Sequence, residues 1–239
     1  MIERHLARLH ARHQLTAEEQ HAIRATVAEV REFRRGMTVV RQGDRLSTSM
    51  LVVEGFLARY KDLAGGHRQI SELHVPGDFA DLHGFTLKRL DHSILTITDA
   101  RIAIVPHERI GELVDAFPRI MRLYWFSTNL DAAIHREWVV SLGSRTALSR
   151  VAALFCELHT RLDVVGLMKG DSFEFPLNQS ELGECMGLTA VHVNRTLRQI
   201  RERGLATFRR GRVDVHDLAG LREVAEFDDS YLYLDGYEE

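Results

Sequence analysis

Between Asn178 and Gly204 the chain reads NQSELGECMGLTAVHVNRTLRQIRERG, and few backbone arrangements satisfy that order of residues. Asn178 can cap a helix, with Glu181 three residues on reaching back to it as in a capping box. Leu182 and Met186 form one apolar side of that helix, and Gly187 supplies the backbone freedom to end it. Leu188 packs under the turn, and Thr189 is a good N-cap for a second helix. In that helix Val193, Leu197 and Ile200 make one buried stripe. The opposite face carries Val191, Arg195, Arg198 and Glu202, with His192 and Asn194 at its edges, and Gly204 ends the helix. The spacing therefore predicts a helix-turn-helix whose second helix is cationic outside and apolar inside.

Such a helix fits the major groove of duplex DNA and reads base edges mainly with its N-terminal turns. Ala190, Val191, His192 and Arg195 are the candidate readers. Arginine can bind a guanine edge through two hydrogen bonds, and a small apolar side chain can meet a thymine methyl. Arg198 and Arg201 lie further along and suit phosphates, which set register and affinity. Gln179, Ser180, Thr189 and Asn194 complete the helix-turn-helix part of the candidate DNA-binding set. After Gly204, an apolar strand from Leu205, a basic turn of Arg209, Arg210, Gly211 and Arg212, and a returning Val213-Asp214-Val215 predict a wing. Its arginines would meet phosphates.

The formal net charge of −3 over 239 residues means that DNA affinity must come from local segregation of charge. Arginines cluster from Arg195 to Arg212, whereas the tail from Glu223 to Glu239 has acids and no Lys or Arg. That tail, with Tyr231, Tyr233 and Tyr237, reads as a partly ordered surface segment. Two cysteines, Cys156 and Cys185, give no disulfide framework and are too few for an ordinary four-cysteine iron–sulfur cluster. No signal peptide and no apolar run of membrane-spanning length are visible, so the expectation is a cytoplasmic protein without a membrane partner. Nucleophile-elbow, H-E-x-x-H and phosphate-loop motifs are absent, which argues against an enzyme.

Upstream, residues from Ile2 to about Arg31 read as helical, with Thr16 before Glu18-Glu19 as a start signal. From Phe33 to Val105 the period switches to short strands: Met37 to Arg41, Met50 to Val53, Phe56 to Tyr60, Arg68 to His74, Ile94 to Thr98 and Ile102 to Val105. Regular turns between them suggest a roll or barrel. A short helix follows Pro106, and Pro118 suits the first turn of a long one. There Ile120, Leu123, Leu130, Ile134 and Trp138 fall near a heptad spacing, interrupted by Ser127. The stripe can pair two copies or pack on the chain's own roll. Pairing is the favoured reading, because one helix-turn-helix reads few base pairs, whereas two-fold pairing places the readers one DNA turn, about 34 Å, apart. Ser141 to Ser144 reads as a hinge, followed by a helix from Arg145 to Leu162 and strands around Val164 to Met168 and Phe173 to Phe175. The divisions are 1–117, 118–141 and 142–239, with a buried core in each domain.

Nearly the whole chain resembles the Crp/Fnr regulators. The resemblance rests on Gln179-Ser180-Glu181-Leu182-Gly183, Gly187-Leu188-Thr189, Val193-Asn194-Arg195-Thr196-Leu197 and the Gly204-Leu205 opening of the wing. Gly43-Asp44, Val53-Glu54-Gly55 and Pro76-Gly77-Asp78 look like turns of the family's N-terminal roll. The resemblance implies an α+β chain: a cyclic-nucleotide-binding-like β-roll sensor domain, a long dimerisation helix and a C-terminal winged helix-turn-helix. It implies a homodimer on double-stranded DNA, with RNA polymerase as a further partner if the protein is an activator.

In members that bind cyclic nucleotides, an early Gly-Glu pair and a late Arg-Ser or Arg-Thr pair hold the ligand. Here Ala80 and Asp81 stand at the first pair and His92 and Ser93 at the second, with Asp91 before them. Gly77, Asp78, Ala80, Asp81, Leu82, His92 and Ser93 are the effector-pocket candidates. A phosphate beside a carboxylate and without its arginine is electrostatically poor, so cyclic AMP is not expected to bind, and no cofactor or metal is assigned. Family members that read the best-known operator carry arginine and glutamate where this chain has Ala190 and Val191, so the operator is expected to differ. The alternatives are a sensor of a cyclic nucleotide, haem or another small ligand, with His74, His83 and His92 the residues to watch, or an interaction module that ignores DNA. A thiol switch at Cys185 is the lesser alternative to a core role for it.

Overall fold

Two short helices lead the chain in the computed structural model, which describes residues 1–235. α1 (Glu3–His10) lays Leu6 and Leu9 against the roll, and α2 (Ala17–Ala25) starts at Thr16. The Thr16 hydroxyl accepts the Glu19 amide while the Glu19 carboxylate accepts the Thr16 amide, a complete capping box. The helix does not run on to Arg31. Its C-terminus is closed by Thr26, whose hydroxyl donates to the Ile23 carbonyl, and residues Glu29–Phe33 become β1. Pairing with a roll strand, from Glu29 opposite Ile104 to Phe33 opposite Ala100, overrides the local helical pattern.

The roll is completed by β2 (Thr38–Val40), β3 (Thr48–Glu54), β4 (Leu57–Asp62), β5 (Arg68–His74), the single helical turn α3 (Gly84–Leu87), β6 (Ser93–Thr96) and β7 (Ala100–Pro106). All six expected strands are present, Arg68–His74 with the expected ends and the other five with shifted ends. They form two antiparallel sheets, ordered β1-β7-β3 and β2-β6-β4-β5. Val52, Leu57, Ile94 and Ile102 fill the space between them.

α4 (His107–Ala116) leads into α5 (Pro118–Ser144), whose 27 residues span roughly 40 Å at about 1.5 Å each. Pro118 sits in its first turn, as expected. The Ser141 to Ser144 segment does not break the helix. A glycine in a helix costs only about 1 kcal/mol, and Gly143 keeps a negative φ. The break falls at Arg145, extended with ψ 152°, and Thr146 caps α6 (Ala147–Val164) by accepting the Ser149 amide. Arg145 spans the bend by pairing with Glu137 at 2.6 Å.

The C-terminal part comprises α6, β8 (Ser172–Glu174), α7 (Gln179–Met186), α8 (Ala190–Glu202), β9 (Ala206–Arg209), β10 (Arg212–Val215), α9 (Leu218–Ala225) and a 3-10 turn (Ser230–Leu232). Its sheet is ordered β8-β10-β9. The strand expected at Val164 to Met168 is absent, because α6 extends through Val164 and the chain then turns. Phe155, Phe173 and Phe175 are fully buried at the centre.

The two cores expected from the sequence are joined. One apolar cluster runs from Phe56, Tyr60 and Leu73 of the roll, through Leu130, Ile134 and Trp138 of α5, into α6 and the winged part. The tail belongs to this packing as far as it is described. Leu232 is buried, its carbonyl accepts from Arg12 Nε at 2.9 Å, and the Tyr231 hydroxyl donates to Glu157 at 3.1 Å. Tyr237 lies outside the described residues.

Candidate nucleic-acid interface and sensor pocket

Short-range chemistry positions α7 and α8. Asn178 and Glu181 form the expected capping box, Gly187 takes a left-handed φ of 63° at the end of α7, and Thr189 caps α8 through the His192 amide. The turn folds back so closely that a Cβ at Gly183 would lie 2.4 Å from the Leu188 carbonyl oxygen. Only glycine fits there. Val193 and Ile200 are buried as expected; Leu197 is half-buried, and Thr196 takes the third buried position.

The face left outside holds Ala190, Val191, His192, Asn194, Arg195 and Arg198, all exposed. Val191 is 80% exposed, a large apolar side chain that no described residue covers. The Arg195 side chain makes no hydrogen bond or ion pair with a described residue. Arg198 pairs with Glu202 at 2.7 Å. Gln179 and Ser180 are exposed at the start of α7, and Gln179 Oε1 accepts from Asn194 Nδ2 at 3.4 Å, so the two helices present one surface.

The wing turns on Arg210 and Gly211, both with positive φ (51° and 74°), as a two-residue hairpin requires. Arg209 and Arg210 are exposed. Arg212 pairs with Asp214 at 3.1 Å. Arg210 and Arg212 also border a cleft of about 600 Å³ facing Arg4 of α1 and Glu54 and Asp99 of the roll, a setting the sequence did not disclose.

The winged part is also tied to the roll. Arg35 Nη2 meets both carboxylate oxygens of Glu181, at 2.6 and 2.7 Å, and Gln69 Nε2 donates to the Glu184 carbonyl at 2.7 Å.

The effector-pocket candidates are mostly engaged elsewhere. The Gly77 carbonyl accepts from His5 Nδ1 at 2.9 Å. Asp78 is buried between Arg8 at 3.0 Å and Arg161 at 2.7 Å, and those cations hold its carboxyl below the usual range. Asp81 accepts the Met50 amide at 2.6 Å, and burial pushes its carboxyl up to about 7. Leu82 is buried. Ser93 Oγ accepts the Gln42 amide at 2.9 Å. His92 Nδ1 lies 3.0 Å from Asp91 Oδ1.

The residues that do fill the pocket were not foreseen. Arg59 of β4 is buried with Nη1 at 2.7 Å from Glu72 of β5 and 2.6 Å from Asp131 of α5. Its Nε and Nη2 both donate to the Ala80 carbonyl. Burial first, then the neighbouring Asp131, pushes the Glu72 carboxyl well up. The remaining space, bordered by Arg8, Arg59, Glu72, His74, His83 and Asp131, is about 10 Å³. That is room for about one water.

α5 requires a further correction. Ile120, Leu123, Leu130, Ile134 and Trp138 are all buried against their own chain, so they cannot be the face that meets a second copy. A different stripe remains outside. Met121, Trp125, Thr128, Ala132, His135, Val139 and Leu142 recur at alternating four- and three-residue steps, with Trp125 64% and Val139 70% exposed. Cys156 and Cys185 are buried and burial pushes both thiols up, the first to about 12, which suits core roles. Among the described residues no helix is long and apolar enough to cross a membrane.

Comparison with known proteins agrees along the chain. The family model of a cyclic nucleotide-binding domain matches residues 30–117, and that of a Crp-like helix-turn-helix domain matches residues 149–224. The transcriptional activator protein FnrA of Stutzerimonas stutzeri is 25% identical over 211 residues, 88% of this chain and 86% of its own. The nitrogen fixation regulation protein FixK of Bradyrhizobium diazoefficiens is 27% identical over 214 residues, 83% of this chain and 86% of its own. The solved structure of FixK2 from Bradyrhizobium japonicum shares the fold, with a TM-score of 0.76 at 23% identity, covering 83% of this chain and 97% of that one. With a roll and a winged helix-turn-helix each matched in order, and relatives spanning most of the length, the chain belongs to the Crp/Fnr family of transcription regulators.

Proposed function

We propose that the protein binds specific duplex DNA as a homodimer, with α8 in the major groove and the exposed stripe of α5 as the seam between copies. The observation that carries the DNA reading is the outer face of α8: a capped helix start with Ala190, Val191, His192 and Arg195 exposed, and Arg195 without a partner among the described residues. Gln179, Ser180, Thr189 and Asn194 flank that face, and Arg198, Arg209, Arg210 and Arg212 supply phosphate contacts. The exposed Met121, Trp125 and Val139 support the seam, since each such side chain gains about 1.5–3 kcal/mol on full burial.

The roll acts as the frame that sets the two winged parts, and it does not take cyclic AMP. Arg59, Glu72 and Asp131 neutralise one another where a phosphate would need an uncommitted cation. Activation, the role in the name of the FnrA relative, would add RNA polymerase as a partner.

Selection of bound duplexes from random sequence, followed by titration at two salt concentrations, tests the DNA reading. Affinity should fall steeply with salt as phosphate contacts release counterions. Absence of salt-dependent binding rejects it. Sedimentation of Trp125→Asp tests the seam: the variant should be monomeric, and a dimer equal to wild type assigns pairing to another surface. Calorimetry showing tight, stoichiometric cyclic AMP binding would overturn the reading of the roll.

A further inference from the structure

The carboxylates around Arg59 have a second set of neighbours, and these are imidazoles. One oxygen each of Glu72 and Asp131 and a ring nitrogen of His135 lie within 4.8 Å of one another. His135 Nδ1 is 3.3 Å from Glu72 Oε2. His83 Nδ1 is 3.9 Å from Asp131 Oδ2. His74, only 1% exposed, aims Nε2 at Glu72 Oε2 from 3.8 Å, and that nitrogen has no hydrogen-bond partner among the described residues. His92, tilted at 47° to His83 with ring centres 5.4 Å apart, also leaves a buried Nε2 without a partner among the described residues while Asp91 holds its other nitrogen. A carboxylate on the far nitrogen is how metal-binding histidines are commonly oriented.

We propose that Glu72, Asp131 and His135, joined by His83 or His74, form a binding site for a divalent first-row transition-metal ion at the junction of β5 and α5. Mixed imidazole and carboxylate donors select such ions over calcium or magnesium, which prefer oxygen alone. Metal–ligand bonds of roughly 2.0–2.2 Å in a tetrahedral site put donor atoms about 3.3–3.6 Å apart. The 4.8 Å span therefore has to contract by at least about 1 Å, and His135 Nδ1 has to give up its 3.1 Å hydrogen bond to the Asp131 carbonyl to reach the ion.

Arg59 is the competitor. Its Nη1 occupies the space between the two carboxylates, and a cation binds by taking that place. The guanidinium is planar and rigid, so moving Nη1 aside also loosens the two bonds that Nε and Nη2 donate to the Ala80 carbonyl. None of its residues lies on α7, α8 or the wing, so it does not depend on the DNA contacts, although His135 belongs to the α5 stripe assigned to the seam between copies.

Titration of the chelator-treated, full-length protein with cobalt(II), followed by visible absorption, tests the proposal. One ion per chain should bind, zinc(II) should displace it, and Asp131→Asn or Glu72→Gln should weaken binding at least tenfold. Arg59→Gln should strengthen it, and zinc should raise the melting temperature of that variant more than that of wild type. Should the carboxylate variants not fold, His135→Ala at its half-buried position reads the same loss. Absence of stoichiometric binding overturns the proposal. So does binding unchanged in Asp131→Asn, Glu72→Gln and His135→Ala, which would assign the ion to surface histidines.

Discussion

Two groups of arginines do opposite things in this chain. On α8 and the wing, Arg195, Arg209 and Arg210 stand in solvent with no ion pair among the described residues. Beneath the roll, Arg8, Arg59 and Arg161 are each held by one or two carboxylates out of solvent. A cation in water costs little to leave unmatched and is available to a polyanion. A cation in the interior must be neutralised by the fold itself, and once neutralised it offers nothing to a phosphate. The difference explains how a chain with net charge −3 can present a cationic surface on α8 and the wing while the arginines of its interior stay paired.

The largest expected effect comes from breaking the buried group. Arg59→Leu leaves Glu72 and Asp131 facing each other without their cation, and removal of one partner from such a set costs about 3–5 kcal/mol. Urea unfolding should show that loss, while the slope of DNA affinity against salt in the folded variant stays as in wild type. A stability change under about 1 kcal/mol would mean that the carboxylates find protons or water instead, and the contrast drawn above would lose its inner half.

Protons should also separate the two regions. Burial lowers His5 from its ordinary 6.5 to about 4, against the hydrogen bond to the Gly77 carbonyl, which favours the charged ring. The folded state therefore binds fewer protons than the unfolded chain between those values. Stability is present above pH 6.5 and is lost as pH falls towards 4, by up to about 3 kcal/mol from this residue. His5→Asn keeps a donor near the same position and cannot be protonated. Its pH–stability curve over that interval should be shallower by close to one proton; an unchanged slope would show that His5 does not contribute.

The sequence discloses these regions unequally, and the reason is distance along the chain. The helix-turn-helix is written in contacts three or four residues apart: the Asn178–Glu181 box, the glycine turn, the Thr189 cap. Such signals can be read without knowing the fold. Arg59 meets Glu72 across 13 residues and Asp131 across 72, and only the packing of β4, β5 and α5 brings them together. The one local hint is a charge inside the buried run Leu57-Ala58-Arg59-Tyr60. α5 misleads for a related reason. It carries two apolar stripes of similar period, and spacing alone cannot say which one its own chain covers; the rest of the chain buries Ile120, Leu123, Leu130, Ile134 and Trp138.

The exposed group is broken more gently. Arg195→Ala should leave stability within about 0.5 kcal/mol of wild type, since the side chain touches nothing that folding requires. DNA affinity should fall by about 1–3 kcal/mol, with base choice relaxed at one position in each half-site. Repeating the selection of bound duplexes with the variant measures both. If the preferred sequence and the affinity are unchanged, Arg195 is not a reader, and the task passes to Ala190, Val191 and His192 on the same turn.

The smallest effect tests whether exposure alone makes an arginine available. Arg198 is exposed, like Arg195, yet Glu202 holds it at 2.7 Å, one turn along α8. To contact a phosphate it must give up that partner or share it, so Arg198→Gln should weaken all duplexes alike and leave sequence preference intact. The salt slope should drop by about one per half-site if the arginine reaches DNA, and not at all if Glu202 keeps it. Glu202→Gln separates the cases: release of Arg198 should raise affinity for every duplex at low salt. A gain confined to one sequence would make Arg198 a reader of bases and extend the reading face a full turn beyond Arg195.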